Sequence, residues 1–446
     1  MGHLGPVSGN RLAQVLGVAQ QEIDHALLRL EASGSILRGQ FTQADAQEWC
    51  DRRLLARIHR LTLGTLRAQI APVAPAQFMG WLLRWQHLAP GTQAHGERGL
   101  LEVLRQLQGF ELPASSWEPQ ILARRVADYD PHLLDRLCLT GAVGWGRMSP
   151  HPAILEQAEG GEGREPFRHR VVPSSVAPIS FFLREEAEWK GLCRTNLGDR
   201  PAGLSDAGRQ VLEFRERRGA SFFADIVRGC GRLKSEVETA LWELVAAGRV
   251  TADGFDNLRA LIDPKRRSGQ GRGRTTRPRH STGRWSVLFS GEAPDRTWAT
   301  ESICKALLER YGVVFRELTV RENFPLKWRE LLQVFHRMED RGEVRGGRFV
   351  DGFIGEQFGS PVAVESLRAT RNALPSGETV SLSAADPLNL VGIVIPGGRV
   401  PALSKQRILL RDGACVASAQ VSEKGETRLR RAAQKQTALR TVRKYW

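Results

Sequence analysis

The sequence predicts a mainly α-helical chain with a small β component, in which tandem winged-helix modules are followed by a C-terminal β-barrel. Three observations support this prediction. One segment pattern occurs four times, each copy ends in a short apolar and polar alternation, and the last part of the chain contains short β-type runs separated by turns. A chain of 446 residues is also too long for one ordinary hydrophobic core, so several domains are expected.

The repeated pattern survives an ungapped overlay of distant segments. Residues 16–41 superimpose on residues 230–255 at a constant offset of 214, and residues 331–349 fit at an offset of 308. A looser copy, at residues 131–148, fits at an offset of 107. Regular recurrence of this kind predicts one structural unit used several times.

Each copy reads as a helix followed by a wing. Apolar residues at i, i+3, i+4 and i+7 make one face of a helix, and a glycine four positions later suits a left-handed C-cap. The alternation after that glycine predicts a two-stranded wing, and a shorter helix precedes the first two copies. The alternative is a repeat of helical hairpins that scaffolds protein contacts.

The domains that we expect are a winged helix at 1–60, a helical segment and winged helix at 61–150, a linker or extended insertion at 151–200, a winged helix at 201–263, a basic flexible linker at 264–290, a winged helix at 291–372, and a β-barrel with a basic tail at 373–446.

The connecting segments differ in composition from the modules. Residues 157–175 are broken by glycine and proline, which predicts a mobile connection. Residues 264–284 hold eight Lys or Arg and no acid, so they are either a phosphate-binding segment or a merely basic tether. Short β-rich runs with PGG and RDG turns begin near residue 375 and predict a small antiparallel barrel, and the tail 424–446 carries eight Lys or Arg.

The charge balance points to a polyanionic partner. The formal charge is +15 and the pI about 10.2, with 64 Lys and Arg against 49 Asp and Glu. Nucleic acid is the simplest such partner, because each neutralised phosphate releases counterions. A soluble protein that is merely basic is the alternative. Arginine predominates, and its guanidinium is the better fork for phosphate and base edges.

Cysteine and histidine usage predicts no metal and no cofactor. The six cysteines occur singly and without a CxxC pair, which fits a reducing cytoplasm better than a disulfide framework. The ten histidines show no HxxxH spacing. No apolar run has the length of a membrane span and no signal peptide opens the chain, so we expect a cytoplasmic protein without a membrane partner.

Several stretches resemble the C-terminal half of the bacterial long-form large helicase-related (Lhr) proteins. The stretches that carry this resemblance are residues 48–67, 78–92, 125–148, 219–261, 328–358 and 386–403. The resemblance implies an extension of an ATP-dependent superfamily 2 helicase that moves 3′ to 5′ on single-stranded DNA. It implies that this extension binds DNA, preferably single-stranded, near the nucleoid, and that it self-associates into a homotetramer. This chain has no GxxxxGK[ST] loop, so ATP hydrolysis is not expected of it.

A fainter resemblance concerns DNA repair. QGFELP, ILARRVADYDP and LLDRLCL stand in an order similar to motifs of winged-helix and β-barrel glycosylases that excise alkylated purines. Those enzymes carry Gln–apolar–Gln or Gln–apolar–Asp where this chain has Glu111–Leu112–Pro113, which leaves the catalytic residue open. The Lhr extension is itself associated with uracil excision. The resemblance therefore implies a metal-independent hydrolase of the N-glycosidic bond, with uracil as the expected base.

Base excision needs a carboxylate near the sugar, cations for the phosphates and an aromatic ring that stacks on a base. The candidate catalytic carboxylates are Glu111, Glu118, Asp128 and Asp386. The candidate nucleic-acid contacts are Arg84, Trp85, Gln86, Trp117, Arg124, Arg125, Arg266, Arg267, Arg272 and Arg274.

Ordinary structural roles compete with these assignments. Glu118 before a proline also suits a solvent-facing loop, and Trp117 suits a hydrophobic core. Asp386 precedes a proline and also suits a turn. Glu111 has no evident pairing partner on a helix, so function and structure are balanced there. Two other functions stay open at this stage: a DNA-binding and tetramerisation platform without catalysis, and a scaffold for protein contacts.

Overall fold

The structure is a computed structural model, and it describes residues 4–42, 47–68, 72–149, 151, 177–195, 203–262, 283–289, 295–403 and 405–420. Several expected features lie outside the described residues: the connection 157–175, most of the basic segment with Arg266, Arg267, Arg272 and Arg274, and the tail 424–446. The chain forms two compact units, Met1–Pro72 and Val73–Trp446. In the described ranges, no helix is both long and apolar enough to cross a membrane.

The first unit is a winged-helix module. Its elements are Val7–Ser8, Gly9–Leu16, Gln20–Ala32, Ile36–Gly39, Glu48–Asp51 and Arg52–Ala68. The three strands form one antiparallel sheet with Glu48–Asp51 in the middle. The apolar face of Gln20–Ala32 packs on this sheet, since Ile23 and Leu27 share a buried cluster with Ile36 and Trp49.

The second module opens the larger unit and contains an insertion. Its helices and strands are Pro75–Trp85, Ala94–His95, Gly96–Leu107, Leu112–Pro113, Ala114–Ser116, Trp117–Leu122, Ala123–Arg125, Val126–Ala127, Pro131–Leu139, Val143–Gly146, Pro178–Leu183, Arg184–Trp189 and Lys190–Thr195. Strand Pro178–Leu183, within the expected linker 151–200, is the middle strand between Leu112–Pro113 and Val143–Gly146. A wing needs a returning strand, and this segment supplies it.

The third module has the same winged-helix plan without the insertion, and a helix lies between its two wing strands. Its elements are Asp206–Arg218, Ser221–Phe222, Phe223–Cys230, Lys234–Ala246, Val250–Ala252, Asp256–Ile262 and Arg284–Val287. The last strand lies inside the segment 264–290 that was expected to be a linker, and it is the middle strand of the sheet.

The third module shares a hydrophobic core with the second. One buried cluster runs from Ala94 through Trp145 and Trp285 to Ala385. The C-terminal half of helix Lys234–Ala246 lies inside it, because every side chain from Ala240 to Ala246 is buried. Burying one large apolar side chain stabilises a fold by about 1.5–3 kcal/mol, so this shared core joins the two modules firmly.

The fourth module keeps a more exposed helix. Its elements are Arg296–Tyr311, Val313–Val314, Arg316–Arg321, Trp328–Asp340, Arg345–Gly347, Gln357–Gly359 and the following helix Pro361–Ala369. Strand Gln357–Gly359 lies between the other two strands in an antiparallel sheet. Helix Trp328–Asp340 buries one face only, which leaves its opposite face to solvent.

The expected C-terminal barrel is not confirmed. The described residues form a three-stranded antiparallel sheet of Thr379–Ser383, Gln406–Arg411 and Ala414–Gln420, and they contain no closed barrel. The apolar stretch 384–403 forms turns, since Pro387, Pro396 and the glycines around them interrupt strand hydrogen bonding. The RDG sequence does form the expected hairpin turn, with Asp412 at a positive φ of 47°.

Candidate active site and nucleic-acid interface

The segment 108–130 is inserted between helices Gly96–Leu107 and Pro131–Leu139 of the second module. Near its start, Gly109 has a φ of 82° and donates its N–H to the carbonyl of Phe181 at 3.0 Å. A short edge strand, Leu112–Pro113, then joins the wing sheet. The segment is therefore a packed part of the module, and its polar side chains have fixed neighbours.

Glu111 is held by backbone donors from the end of the wing strand. Its Oε1 accepts the N–H of Met148 at 2.6 Å and the N–H of Ser149 at 2.9 Å. Its Oε2 accepts one hydrogen bond from Asn323 Nδ2, at 3.3 Å. Glu111 is 8% exposed, whereas Asn323 is exposed. One oxygen is thus fixed by the backbone and the other points towards an exposed amide of the fourth module.

Basic groups lie beside this carboxylate. Burial lowers the pKa of Arg147, and the charge of Glu111 partly offsets that shift. Burial, and then the charge of Arg147, lowers the pKa of His151. Burial first, and then the charge of Glu111, raises the pKa of the Cys193 thiol to about 12. Glu111 therefore lies in a partly enclosed place close to Arg147.

Glu118 is engaged in an ion-pair network. Arg259 donates from Nε to Glu118 Oε2 at 2.8 Å and from Nη2 to Oε1 at 2.9 Å. The Tyr129 hydroxyl donates to Glu118 Oε1 at 2.8 Å, and Arg259 also pairs with Asp135 at 2.7 Å. Burial first, and then the charge of Glu118, raises the pKa of Tyr129 far above its usual range. Both Glu118 oxygens are thus occupied by contacts with Arg259 and Tyr129.

Asp386 and Arg125 are brought together by the fold. Arg125 Nη1 donates to Asp386 Oδ2 at 2.8 Å, and Nη2 donates to Asp386 Oδ1 at 2.9 Å. Gln86 Oε1 accepts a third bond from Nη2 at 2.9 Å, and Arg125 and Asp386 are both 0% exposed. Asp386 Oδ1 also accepts the N–H of Leu388 at 2.9 Å, as the Asp–Pro turn alternative anticipates. In this conformation none of the three predicted residues Arg125, Gln86 and Asp386 presents a surface to DNA.

Trp117 is part of the hydrophobic core. It is 0% exposed, its Nε1 donates to the Ile179 carbonyl at 2.8 Å, and its ring meets Phe181 edge-on with centroids 4.8 Å apart. Phe110 is buried as well, with the guanidinium carbons of Arg310 and Arg321 at 5.2 and 5.9 Å from its ring centre. Neither ring is open to a base here, which matches the core alternative.

The remaining predicted residues are nearer the surface. Asp128 is exposed and has a positive φ of 49°, and Arg124 is partly exposed and has a polar or charged partner. Arg84 is exposed but pairs with Glu378 at 2.8 Å. Trp85 is partly exposed and donates from Nε1 to the Glu309 carbonyl at 2.8 Å. Asp128 is the one of the four predicted acids that is fully open to solvent.

Two helix faces with exposed arginines escaped the motif-based prediction. In helix Arg52–Ala68, the exposed Arg53, Arg57 and Arg60 follow an i, i+4, i+7 spacing, and residues 52–68 contain no acid. In helix Trp328–Asp340, the exposed Arg329 and Arg337 share one face with the exposed Asp340, so this second face is mixed in charge. Charge periodicity along each helix is the signal that would have identified both faces. Within the described residues, no three His, Cys, Asp or Glu side chains are grouped so that they could hold a metal ion.

The helix-turn-helix and wing modules place this chain among the multi-module winged-helix proteins. Two of the modules identify the type more closely, because residues 73–159 and 293–379 match the winged-helix domains of large helicase-related proteins. The resemblance to the Lhr proteins is thereby confirmed.

Two curated proteins that are similar to this chain also carry the name Lhr helicase. The chain is 31% identical to a Mycolicibacterium smegmatis protein named Lhr helicase/probable uracil glycosylase, over 88% of this chain and 26% of that protein. It is 28% identical to the Escherichia coli Lhr helicase/uracil glycosylase, over 89% of this chain and 26% of that protein. The chain thus spans about a quarter of the length of these relatives. A solved structure, the Streptomyces sahachiroi DNA glycosylase AlkZ, superposes with a TM-score of 0.45 at 15% identity, over 79% of this chain and 90% of that one.

Proposed function

We propose that this chain is the C-terminal, DNA-binding part of an ATP-dependent 3′ to 5′ Lhr helicase and that it excises uracil from DNA. The names of the two curated relatives support both activities. The single structural observation that carries the catalytic proposal is the half-occupied carboxylate of Glu111, with Oε1 fixed by two backbone N–H groups and Oε2 directed at the exposed Asn323.

This arrangement suits hydrolysis of an N-glycosidic bond. When the C1′–N bond breaks, positive charge develops on the sugar, and a nearby carboxylate stabilises it and orients the attacking water. Because Oε1 of Glu111 is pinned by Met148 and Ser149, Oε2 has a fixed direction. Asn323 lies where it could hold the same water or an edge of the flipped nucleotide. The other three predicted acids then have supporting or separate roles.

DNA binding rests on the exposed arginines. The faces Arg53–Arg57–Arg60 and Arg329–Arg337 lie on helices of the first and fourth modules, and each presents guanidinium groups to solvent. Arginine binds phosphates in any sequence, so a strand without fixed sequence is the expected ligand. The basic segment with Arg266, Arg267, Arg272 and Arg274 would add further phosphate contacts.

The test is an alkali-cleavage assay on a uracil-containing single strand. Four variants are compared with the unmodified chain: Glu111→Gln, Glu118→Gln, Asp128→Asn and Asp386→Asn. We expect Glu111→Gln to lower the excision rate by about 100-fold or more, as removal of a general base does, while strand binding persists. Glutamine still accepts the two backbone N–H groups, so the fold is conserved in this variant.

Two results would contradict parts of this proposal. Strand breaks by the unmodified chain at the level of a blank without protein would refute excision. Full activity of Glu111→Gln combined with loss in Asp128→Asn would move the site to the exposed Asp128.

A platform without catalysis is the second candidate function, and the buried ion pairs favour it. Glu118 and Asp386, two of the four predicted acids, are engaged by Arg259 and Arg125. In that case the chain would bind DNA, with an affinity that falls steeply with salt, and would assemble the helicase core into a homotetramer. Light scattering coupled to sizing chromatography measures that assembly, and a monomeric mass at all concentrations would exclude the tetramer.

A further inference from the structure

Three cations and one carboxylate lie where the second and third modules join, and two of the cations, Arg184 and Arg284, pair with the carboxylate of Asp253. Arg184 and Lys190 belong to the second module, and Arg284 and Asp253 lie on the wing of the third. We call these four residues the junction cluster. Three positive groups and one negative group leave a net charge of +2 in this place.

Asp253 and Arg284 form the rigid half of the cluster. The Asp253 N–H donates to the Arg284 carbonyl at 2.9 Å, and Asp253 Oδ2 accepts the N–H and Nε of Arg284 at 3.2 and 3.0 Å. Arg184 Nη2 lies 4.0 Å from Asp253 Oδ1. One carboxylate therefore serves two guanidinium groups, and both remain open to solvent, with side chains 55% exposed at Arg284 and 35% exposed at Arg184.

Lys190 lies against an aromatic ring rather than against a carboxylate of the described residues. Its Nζ lies 4.3 Å from the centre of the Phe182 ring, and it forms no ion pair with any carboxylate in the described part of the chain. Burial first, and then the neighbouring charge of Arg184, lowers the pKa of Lys190 to about 8. An ammonium group placed beside a guanidinium without an anion is electrostatically unfavourable, and an incoming anion would relieve this repulsion.

The position of the cluster in the chain favours a polyanion as its ligand over a small free anion. Arg284 is the last of the eight basic residues of the segment 264–284, so that segment ends at the cluster. A polyanion that contacts the segment can therefore extend to the cluster and contact both, whereas one small free anion can occupy only one of the two places. Side chains drawn from two modules also match successive groups along a strand better than one compact ligand.

We propose that the junction cluster binds a phosphodiester of the DNA strand, with Lys190, Arg184 and Arg284 around its non-bridging oxygens. This inference rests on the proposed DNA-binding function and locates one path of the strand at the boundary between the second and third modules. The Phe182 ring and the wing hairpin hold the cations in place before the strand arrives, so little ordering is needed on binding.

The first experiment measures binding of a fluorescent oligo-dT strand by anisotropy over a range of salt concentrations. The variants Lys190→Gln and Arg284→Gln are compared with Arg98→Gln and Arg217→Gln, two exposed arginines that pair with acids on their own helices. We expect each cluster variant to reduce the slope of log affinity against log salt by about 0.7, the value for one phosphate contact on a single strand. The control variants should leave the slope unchanged, and circular dichroism verifies that every variant is folded.

The second experiment follows Lys190 directly, by carbon NMR of reductively methylated lysines with the signal assigned from Lys190→Arg. We expect oligo-dT to raise the pKa of Lys190 and inorganic phosphate at the same phosphate concentration to leave it unchanged. An equal effect of inorganic phosphate would overturn the assignment to a strand. Unchanged salt slopes in both cluster variants, with normal binding by the unmodified chain, would refute the junction cluster alone; failure of the unmodified chain to bind DNA would instead refute the proposed function.

Discussion

Arg125 and Asp386 each suggested a role in DNA binding or catalysis when considered alone, but together they form an ion pair that stabilises the fold. The sequence offered the arginine as a phosphate clamp and the aspartate as a catalytic acid, and the fold places them in one fully buried ion pair. They are 261 positions apart, so no local pattern could reveal the pairing. The same holds for Glu118 and Arg259, 141 positions apart.

The buried pair leads to a prediction about stability. Asp386→Asn should destabilise the folded state by about 3–5 kcal/mol, because it leaves the Arg125 guanidinium buried without a counter-charge. Urea unfolding followed by tryptophan fluorescence measures this change. The exposed Asp128→Asn is the matched control and should shift the unfolding free energy by less than about 0.5 kcal/mol. A loss below about 1 kcal/mol for Asp386→Asn would show that the pair is dispensable for the fold.

At the scale of single elements, the repeat was the most reliable signal in the sequence. The glycine expected to cap each repeated helix has a positive φ in all four copies, at Gly34, Gly141, Gly248 and Gly342. This prediction is confirmed because helix periodicity and C-capping are local properties, set by residues within two turns of one another.

The environment of a repeated helix was harder to predict. Helix Lys234–Ala246 has the same spacing as Trp328–Asp340, yet its C-terminal half is buried on all sides while the other exposes one face. The sequence contained a hint, since Trp242 and Val245 add apolar side chains outside the repeated stripe. A broader apolar arc predicts contact with a second neighbour, which the spacing of the stripe alone does not show.

The C-terminal hairpin packs against the first helix of the second module and allows a prediction at this scale. Gly413 has a φ of 76°, and a Cβ atom built there would lie 1.8 Å from the Ala76 carbonyl oxygen and 2.6 Å from the Gly80 nitrogen. Gly413→Ala should therefore cost about 2 kcal/mol or more, from backbone strain and from separation of the hairpin and helix Pro75–Trp85.

Thermal unfolding of Gly413→Ala measures that cost. Gly377→Ala is a suitable control, because Gly377 also has a positive φ of 73° but has no heavy atom within 4 Å of the added Cβ. The control should lose about 1 kcal/mol from the backbone conformation alone. Equal losses in the two variants would show that the close approach of the hairpin adds nothing.

At the scale of the whole molecule, the two compact units contain different buried hydrophobic clusters among the described residues. The first core contains Leu12, Ile23, Leu27, Ile36 and Trp49, and the second extends from Ala94 to Ala385. Composition predicted several domains and a basic, DNA-directed character. It did not predict that the second and third modules share one core, because that depends on side chains that meet only after folding.

The division into two units predicts independent folding of the larger one. A chain of residues 73–446 should unfold in one cooperative transition within about 3 °C of the same transition in the full chain, since it retains the whole buried cluster from Ala94 to Ala385. Differential scanning calorimetry of both chains makes this comparison. A shift of more than about 10 °C would show that the first 72 residues are needed for the larger core.

The contact between Arg125 and Asp386 also determines when, during translation, the second module can complete its folding. At about 5–20 residues per second, Arg125 leaves the peptidyl-transferase centre roughly 13–52 s before Asp386 is made, given their separation of 261 positions. The second module consequently cannot reach its final packing while the ribosome is still translating the third and fourth. If translation stops in that interval and the incomplete chain is released, Arg125 has no counter-ion. Such a chain is a substrate for chaperones and proteases.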